Sequence, residues 1–234
     1  MFFREITKKI DFEDKKEPII LFMIFFLPGF ISQTKLMDGS VFDSLWFNLM
    51  YLITVIPQMM LILYLIGKKE SSKKTLYGLD KITKKDLRNS LIYFIGIFAI
   101  VIITGIFSYL ITSLISGSLQ SIPEKLPLWK FDNKILTPLI LFTCMATGYS
   151  EELFFRSYLL TEFNIQGKEI YTIIGVSFIF GLGHIYQGLN GFLGTFVIGI
   201  FLSVIFVKNR RLHSIAIAHG LYNFTVLMIS GSLS

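Results

Sequence analysis

Charged residues are scarce in this sequence: they make up 16% of its 234 residues, against about 25% in ordinary soluble domains. This scarcity, together with long apolar runs in a chain that is 53% hydrophobic, excludes a typical soluble domain and indicates membrane-spanning helices. The runs are continuous rather than alternating, which disfavours a transmembrane β-barrel. We therefore predict an all-α, polytopic membrane protein in contact with the lipid bilayer.

Cysteine is almost absent as well. The single Cys144 leaves no intramolecular disulfide and no multi-cysteine metal site, and we interpret it as a small packing residue in a helix. The net charge of +6 comes from Lys and Arg residues in the loops between apolar runs. Because no folded basic surface is indicated, nucleic acid is not expected as a partner.

Seven apolar segments are candidates for membrane spans. The first, residues 19–31, is the weakest, because a crossing needs about 20 residues and Pro28-Gly29 interrupts it. The other six are residues 44–66, 89–115, 135–160, 170–187, 191–207 and 212–230. We predict a bundle of about seven helices that forms one transmembrane domain over residues 19–234. The charged residues 1–18 before it are expected to lie in the cytoplasm or at the membrane interface.

The Lys and Arg residues of the loops predict the orientation of the chain. With a cytoplasmic N-terminus, 17 of the 22 Lys and Arg residues fall in cytoplasmic segments and four fall outside. The remaining one, Arg156, lies within a span. This asymmetry favours a cytoplasmic N-terminus and an external C-terminus.

Three short polar signatures interrupt the predicted spans 4, 5 and 7. An ionisable side chain inside a membrane is costly, so each is by default a functional-site hypothesis. From the rise of a helix, the polar groups are expected at a similar depth, in the inner half to the middle of the bilayer. The signatures contain Glu151, Glu152 and Arg156, then Phe180 and His184, then His219 and Asn223.

These residue types suit peptide hydrolysis. Glu152 and Arg156 are four residues apart and meet on one helix face, where they neutralise each other and support the helix. Glu151 points about 100° away and is left as an unpaired carboxylate, a candidate general base. His219 and Asn223 share one face and together could donate hydrogen bonds to an oxyanion.

A zinc site is the alternative for the same groups. Glu151, His184 and His219 form a ligand set common in catalytic zinc sites, although the helical H-E-x-x-H motif is missing. Without a metal, Glu151 and His184 could activate water directly. The residues alone leave both schemes open, and we expect no cofactor, with zinc as the alternative.

The motifs E-E-x-x-x-R, F-x-x-x-H and H-x-x-x-N, in this order and each in a membrane span, resemble those of the CAAX-prenyl-protease and bacteriocin-processing family of intramembrane proteases (CPBP, or Abi). The resemblance covers about residues 135–231. It implies that Glu151 is the base and His184 its partner in polarising water, and that His219 and Asn223 stabilise the oxyanion. It also implies that Glu152 and Arg156 are supporting residues and that Phe180 packs against the His184 helix.

The expected function is therefore that of an intramembrane endopeptidase acting on a membrane-associated peptide or protein. The small size resembles that of a bacterial member of the family, so we expect a bacterial plasma membrane. A non-catalytic bacteriocin-immunity or scaffold protein is the alternative, although such a protein has no need of all the polar positions. A transporter is disfavoured because no repeat symmetry is visible.

Overall fold

The computed structural model describes residues 16–27, 42–69, 74–116, 134–163 and 168–232, and these are helical without strands. Seven helices follow one another in these ranges: α1 (Lys16–Phe25), α2 (Leu45–Lys68), α3 (Lys84–Ser116), α4 (Thr137–Glu152, continued by Leu153–Leu159 and Leu160–Glu162), α5 (Glu169–Leu182), α6 (Gly188–Asn209) and α7 (Leu212–Ser232). The prediction of an all-α membrane bundle is confirmed.

Four of the helices, α2, α3, α6 and α7, are both long and apolar enough to cross a membrane. Helix α5 has 14 residues and ends at Leu182, short of the predicted boundary at residue 187. The chain reverses there into α6, and a tight turn at Ile185–Gln187 joins the two helices. The predicted interfacial segment 1–18 lies almost wholly outside the described residues, as does the end of the first apolar run.

The outer surface of the bundle is apolar, as contact with lipid requires. Helix α3 shows this most clearly, since Ile95, Ile103 and Phe107 each expose more than half of their surface. In water such a face would mark an interaction site or an aggregation hazard, whereas in a bilayer it meets acyl chains. Buried polar side chains such as Glu152 and Arg156 instead lie in the interior of the bundle.

Helices α4 and α7 approach closely through two glycines. A Cβ atom on Gly148 would stand 2.6 Å from the backbone nitrogen of Gly220, and one on Gly220 would stand 2.7 Å from the sulfur of Met145. Small residues allow membrane helices to pack backbone to backbone. This contact lies one turn from Glu151 and Glu152 on α4 and next to His219 on α7, so it sets the distance between the two halves of the site.

A polar cluster at one end of the bundle fixes α1 to α2 and α4. Glu17 of α1 accepts hydrogen bonds from the Tyr158 hydroxyl and from Lys69, whose ammonium lies 3.1 Å from Glu162. Burial alone would lower the pKa of Lys69, but the nearby carboxylates of Glu162 and Glu17 favour the charged form more strongly. The pKa of Lys69 is therefore raised. The cluster therefore keeps its cation and holds α1 against the bundle.

The connection between α2 and α3 is fastened to the turn between α6 and α7. The Gly78 carbonyl accepts a hydrogen bond of 2.9 Å from the Leu212 amide. The Arg211 guanidinium pairs with the buried Asp86, and this hydrogen bond raises the pKa of Arg211. This part of the connection thus packs against the protein itself and holds the start of α7 in place.

We expect Gly148→Ala to destabilise the protein by about 1–3 kcal/mol, the usual cost of overpacking, because the added methyl group would push α7 away from α4. Thermal unfolding of the purified protein in detergent measures this. Gly105→Ala is the matched control, since a Cβ atom on Gly105 meets nothing within 4 Å and should leave the unfolding temperature almost unchanged. Equal effects of the two substitutions would contradict the close-contact account.

Candidate active site

The Glu152 carboxylate lies at the centre of a buried ionic cluster. Its side chain is fully buried, and its Oε1 accepts hydrogen bonds from Arg156 at 2.9 Å and from Nδ1 of His219 at 2.8 Å. The predicted pairing of Glu152 with Arg156 is therefore present. The second hydrogen bond, from α7, fastens α7 to α4 at the same oxygen.

Arg156 is also fully buried and uses one face of its guanidinium against an aromatic ring. Its Cζ atom lies 4.2 Å from the centroid of the Phe180 ring, a distance typical of a cation–π contact. The Nε and Nη2 atoms have no hydrogen-bond partner among the residues that the structure describes. Phe180 thus contacts the ionic cluster directly, and its ring lies 5.0 Å from that of His184, on which it packs as the resemblance implied.

His219 lies between two carboxylates. Its Nδ1 faces Glu152, and its Nε2 lies 3.6 Å from Oε2 of Glu151. An imidazolium, which donates from both nitrogens, fits two carboxylate neighbours better than a neutral imidazole does. Two carboxylates, one guanidinium and one imidazolium would leave this buried cluster with no net charge, which removes much of the cost of burying it.

Glu151 differs from its neighbour because it reaches a cavity. Its side chain keeps 21% of its surface exposed, and its Oε2 has no hydrogen-bond partner among the described residues. The cavity has a volume of about 440 Å³. It is lined by Glu151 and His184 together with apolar side chains, including Phe25 and Phe26 of α1.

His184 lies in the turn after α5 rather than inside a membrane helix, which corrects the predicted span. Its backbone nitrogen donates to the Gly181 carbonyl, which closes the turn. Nδ1 of its ring lies 3.1 Å from the Phe180 carbonyl. Because a carbonyl only accepts, Nδ1 carries the proton, and Nε2 of a neutral ring remains available as an acceptor. The turn thus places an oriented imidazole at the cavity wall.

Asn223 is the one predicted catalytic residue that, in the described part of the structure, neither makes a side-chain hydrogen bond nor lines the cavity. It lies one turn after His219 on α7 and is half-buried. No hydrogen bond joins its amide to another of the described residues, and it does not line the cavity. The predicted oxyanion role of Asn223 and His219 stays a prediction.

Helix α4 changes its winding directly after the two glutamates. Residues Leu153–Leu159 form a π-helical segment, at the end of which the Leu160 amide donates to the Phe155 carbonyl five residues earlier. All seven residues of the segment are buried. Such segments are rare and occur mostly at functional sites. Here the segment holds Phe155, whose ring packs against Phe26 just after α1 and Phe180 of α5. It also holds Arg156, which packs against Phe180 as well.

The sequence analysis missed the residues that α2 contributes to the cavity wall. Tyr51, Thr54 and Gln58 line it together with Glu151, as does Tyr186 from the turn before α6. The first three recur at positions i, i+3 and i+7, on one face of an otherwise apolar helix. That pattern was the available signal, although it does not show which neighbour the face meets.

The alternative zinc set does not assemble in the structure. Over the described ranges, no group of three or more His, Cys, Asp or Glu side chains is placed to hold a metal ion. The residues named as possible ligands, Glu151, His184 and His219, therefore do not fit a three-ligand zinc site.

Comparison with known families identifies the part of the chain that carries these residues. Residues 133–225 match the model of the Rce1-like family, described as type II CAAX prenyl endopeptidase Rce1-like. The match covers about two-fifths of the chain and includes Glu151, His184, His219 and the other predicted site residues. No curated protein and no solved structure matches the chain significantly.

The family match confirms the resemblance found in the three motifs. Residues 133–225 are thus similar to the CPBP family of intramembrane proteases. The long apolar helices agree with this assignment, and the chain is an integral membrane protein. Helices α1, α2 and α3 precede the matched region, although α1 and α2 supply part of the cavity wall.

We expect Arg156→Ala to destabilise the protein by about 3–5 kcal/mol, because the change leaves Glu152 as a buried carboxylate without its cation. Equilibrium unfolding in mixed detergent micelles measures the loss. Lys208→Ala is the control, since Lys208 is an exposed cation at the end of α6 and its removal should change the stability little. A variant Arg156→Ala as stable as the control would show that the ion pair contributes nothing to the fold.

Proposed function

We propose that this protein is an intramembrane endopeptidase that hydrolyses a peptide bond in a membrane-associated peptide or protein with water activated by Glu151 and His184. One observation carries the proposal: a carboxylate with a buried oxygen that lacks a hydrogen bond shares a cavity with an imidazole of fixed orientation. A carboxylate oxygen that is buried without a hydrogen bond is costly in a membrane interior, so a role in chemistry accounts for keeping it. The match to a family of endopeptidases supports the same conclusion.

The reaction follows from the placement of the groups. A water molecule in the cavity gives a proton to Glu151 while its oxygen, oriented by His184, attacks the carbonyl carbon of the scissile bond. The negative charge that develops on the carbonyl oxygen requires hydrogen-bond donors, and His219 and Asn223 are our candidates. The proton then passes to the leaving nitrogen as the C–N bond breaks, which yields a free amine and a carboxylic acid.

Glu152 and Arg156 act on this reaction indirectly. Glu152 binds Nδ1 of His219 and so directs Nε2 towards Glu151, 3.6 Å away. The Arg156 guanidinium neutralises the charge of the Glu152 carboxylate, and Phe180 packs between Arg156 and His184. The supporting residues therefore hold the reactive pair at the wall of the cavity.

Orientation and access complete the proposal. The distribution of loop charges favours a cytoplasmic N-terminus, an external C-terminus and substrate entry from the cytoplasmic side. The membrane in this proposal is a bacterial plasma membrane. The alternative, an immunity or scaffold protein without catalysis, would leave the open position of Glu151 without a use. We therefore favour the enzyme. Whether the substrate is prenylated is a question for the assay.

We expect His184→Gln to lower the rate of hydrolysis by about 10²–10⁴, the usual contribution of acid–base catalysis. Asn223→Ala should lower kcat by about 10²–10³ with little change in KM, because an oxyanion donor acts in the transition state. The assay uses protein in liposomes with two sets of fluorogenic peptides, one ending in a farnesylated CAAX sequence and one spanning the bilayer without a lipid.

The two variants also serve as each other's controls for folding, since both should unfold at the temperature of the unchanged protein. Cleavage by the unchanged protein that His184→Gln does not slow would remove His184 from the mechanism. If the unchanged protein cleaved neither peptide set faster than His184→Gln did, the non-catalytic alternative would be favoured.

We further propose that the reaction needs no metal ion, because the groups named as ligands do not form a three-ligand site among the described residues. Activity should then survive prolonged treatment with a strong chelator. Elemental analysis of the active, purified protein checks this directly. Stoichiometric zinc, with activity lost in chelator and restored by added zinc, would overturn the metal-free scheme and make His219 a ligand.

A further inference from the structure

Gln58 is a polar residue in the middle of a membrane span, and it faces the active-site cavity. It lies in α2 among apolar residues and lines the same cavity as Glu151. Its side chain is half-buried, and its amide makes no hydrogen bond to another residue within the described ranges. A primary amide in an apolar environment costs several kcal/mol without a hydrogen-bond partner.

Two other polar side chains of α2 make hydrogen bonds to backbone carbonyls, although Oδ1 of Asn48 has no partner among the described residues. The Asn48 amide nitrogen donates to the carbonyls of Phe42 and Ser44 at 2.8 and 2.9 Å. The Thr54 hydroxyl donates to the Met50 carbonyl at 2.9 Å. A structural role therefore explains Asn48 and Thr54, whereas it does not explain Gln58, whose hydrogen-bonding groups are left for a molecule that enters the cavity.

We propose that Gln58 binds the backbone of the substrate peptide beside the scissile bond. A primary amide carries a donor and an acceptor in one plane, and this arrangement matches the N–H and C=O groups that an extended peptide presents along one edge. An acyl chain offers the amide no partner, so the proposed ligand is the peptide itself. This inference rests on the proposed endopeptidase function and concerns the residue that positions its substrate.

The dimensions of the cavity wall agree with a bound peptide. Tyr51 and Gln58 are seven residues apart on α2, which corresponds to about 10 Å along the helix. An extended segment of about three residues covers the same length. A cavity of about 440 Å³ has room for such a segment, and Glu151 and His184 line it as well. Helix α2 thus provides a substrate-binding edge from outside the family-matched region 133–225.

The test combines a change in the protein with a change in the peptide backbone. The probe is a fluorescent farnesylated CAAX peptide, or the bilayer-spanning peptide if that is the one cleaved, in liposomes. Its matched analogues have one backbone amide beside the scissile bond replaced by an ester, which removes an N–H donor and little else. Cleavage kinetics are measured for the unchanged protein and Gln58→Leu, and binding is measured in the Glu151→Gln background to separate affinity from turnover.

We expect Gln58→Leu to raise KM and the dissociation constant about five- to tenfold, the size of one lost hydrogen bond, with kcat changed less than about threefold. One ester analogue should bind the unchanged Gln58 protein five- to tenfold more weakly but bind Gln58→Leu no more weakly than the amide peptide. The unfolding temperature of Gln58→Leu should be unchanged or higher, because an amide without a partner is removed from the membrane. Thr104→Val, whose hydroxyl is bonded to its own helix at 2.8 Å, is the control and should alter neither constant.

Two outcomes distinguish failure of this inference from failure of the proposed function. If the unchanged protein cleaves the probe and Gln58→Leu has the same KM, the substrate-binding role of Gln58 is wrong while the endopeptidase function stands. A lowered unfolding temperature of Gln58→Leu, with equal sensitivity to the ester in both proteins, likewise shows a structural role. If the unchanged protein neither binds nor cleaves either peptide, the proposed function fails and this inference fails with it.

Discussion

The carboxylate of Glu152 is the interaction on which the rest of the site depends. One oxygen of this fully buried group accepts hydrogen bonds from Arg156 on its own helix and from His219 on α7. In a membrane interior water does not hydrate the buried carboxylate or the guanidinium, so each of these charges requires the other as a partner. The close packing of Gly148 against Gly220 permits this arrangement, because it brings α4 and α7 near enough for a direct contact.

The engagement of Glu152 makes Glu151 available for chemistry. Two adjacent residues on a helix point about 100° apart, so a neighbour that is fixed inside the bundle directs the other towards the cavity. His219 lies next to both carboxylates. It therefore links the buried Glu152–Arg156 pair to Glu151, which reaches the cavity. The π-helical segment that follows places Arg156 against the Phe180 ring, and His184 lies four residues after Phe180, in the turn that follows α5. Glu152 therefore has the structural role in our account, and its neighbour Glu151 has the reactive one.

The sequence was sufficient to predict the membrane bundle and the residues that meet in its interior. Glu152, Arg156 and His219 could be predicted because ionisable groups are too costly in a membrane to be there by chance. The turn at His184 could not, since an apolar segment that contains Gly181 and Gly183 is compatible with a longer helix. The two hydrogen bonds to one oxygen of Glu152 depend on how α7 packs against α4. Gln58 was missed because periodicity shows that a face is polar and does not show that it lines a cavity.

The division between Glu151 and Glu152 is tested most directly by exchanging each for glutamine and measuring the unfolding temperature and the rate of peptide hydrolysis for both variants. Glutamine keeps the shape of the side chain and removes the charge. Our account predicts that Glu151→Gln abolishes hydrolysis at an almost unchanged unfolding temperature, while Glu152→Gln lowers the unfolding temperature substantially because Arg156 and His219 lose the negative charge that both contact. Hydrolysis retained in Glu151→Gln, or an equal loss of stability in both variants, would contradict it.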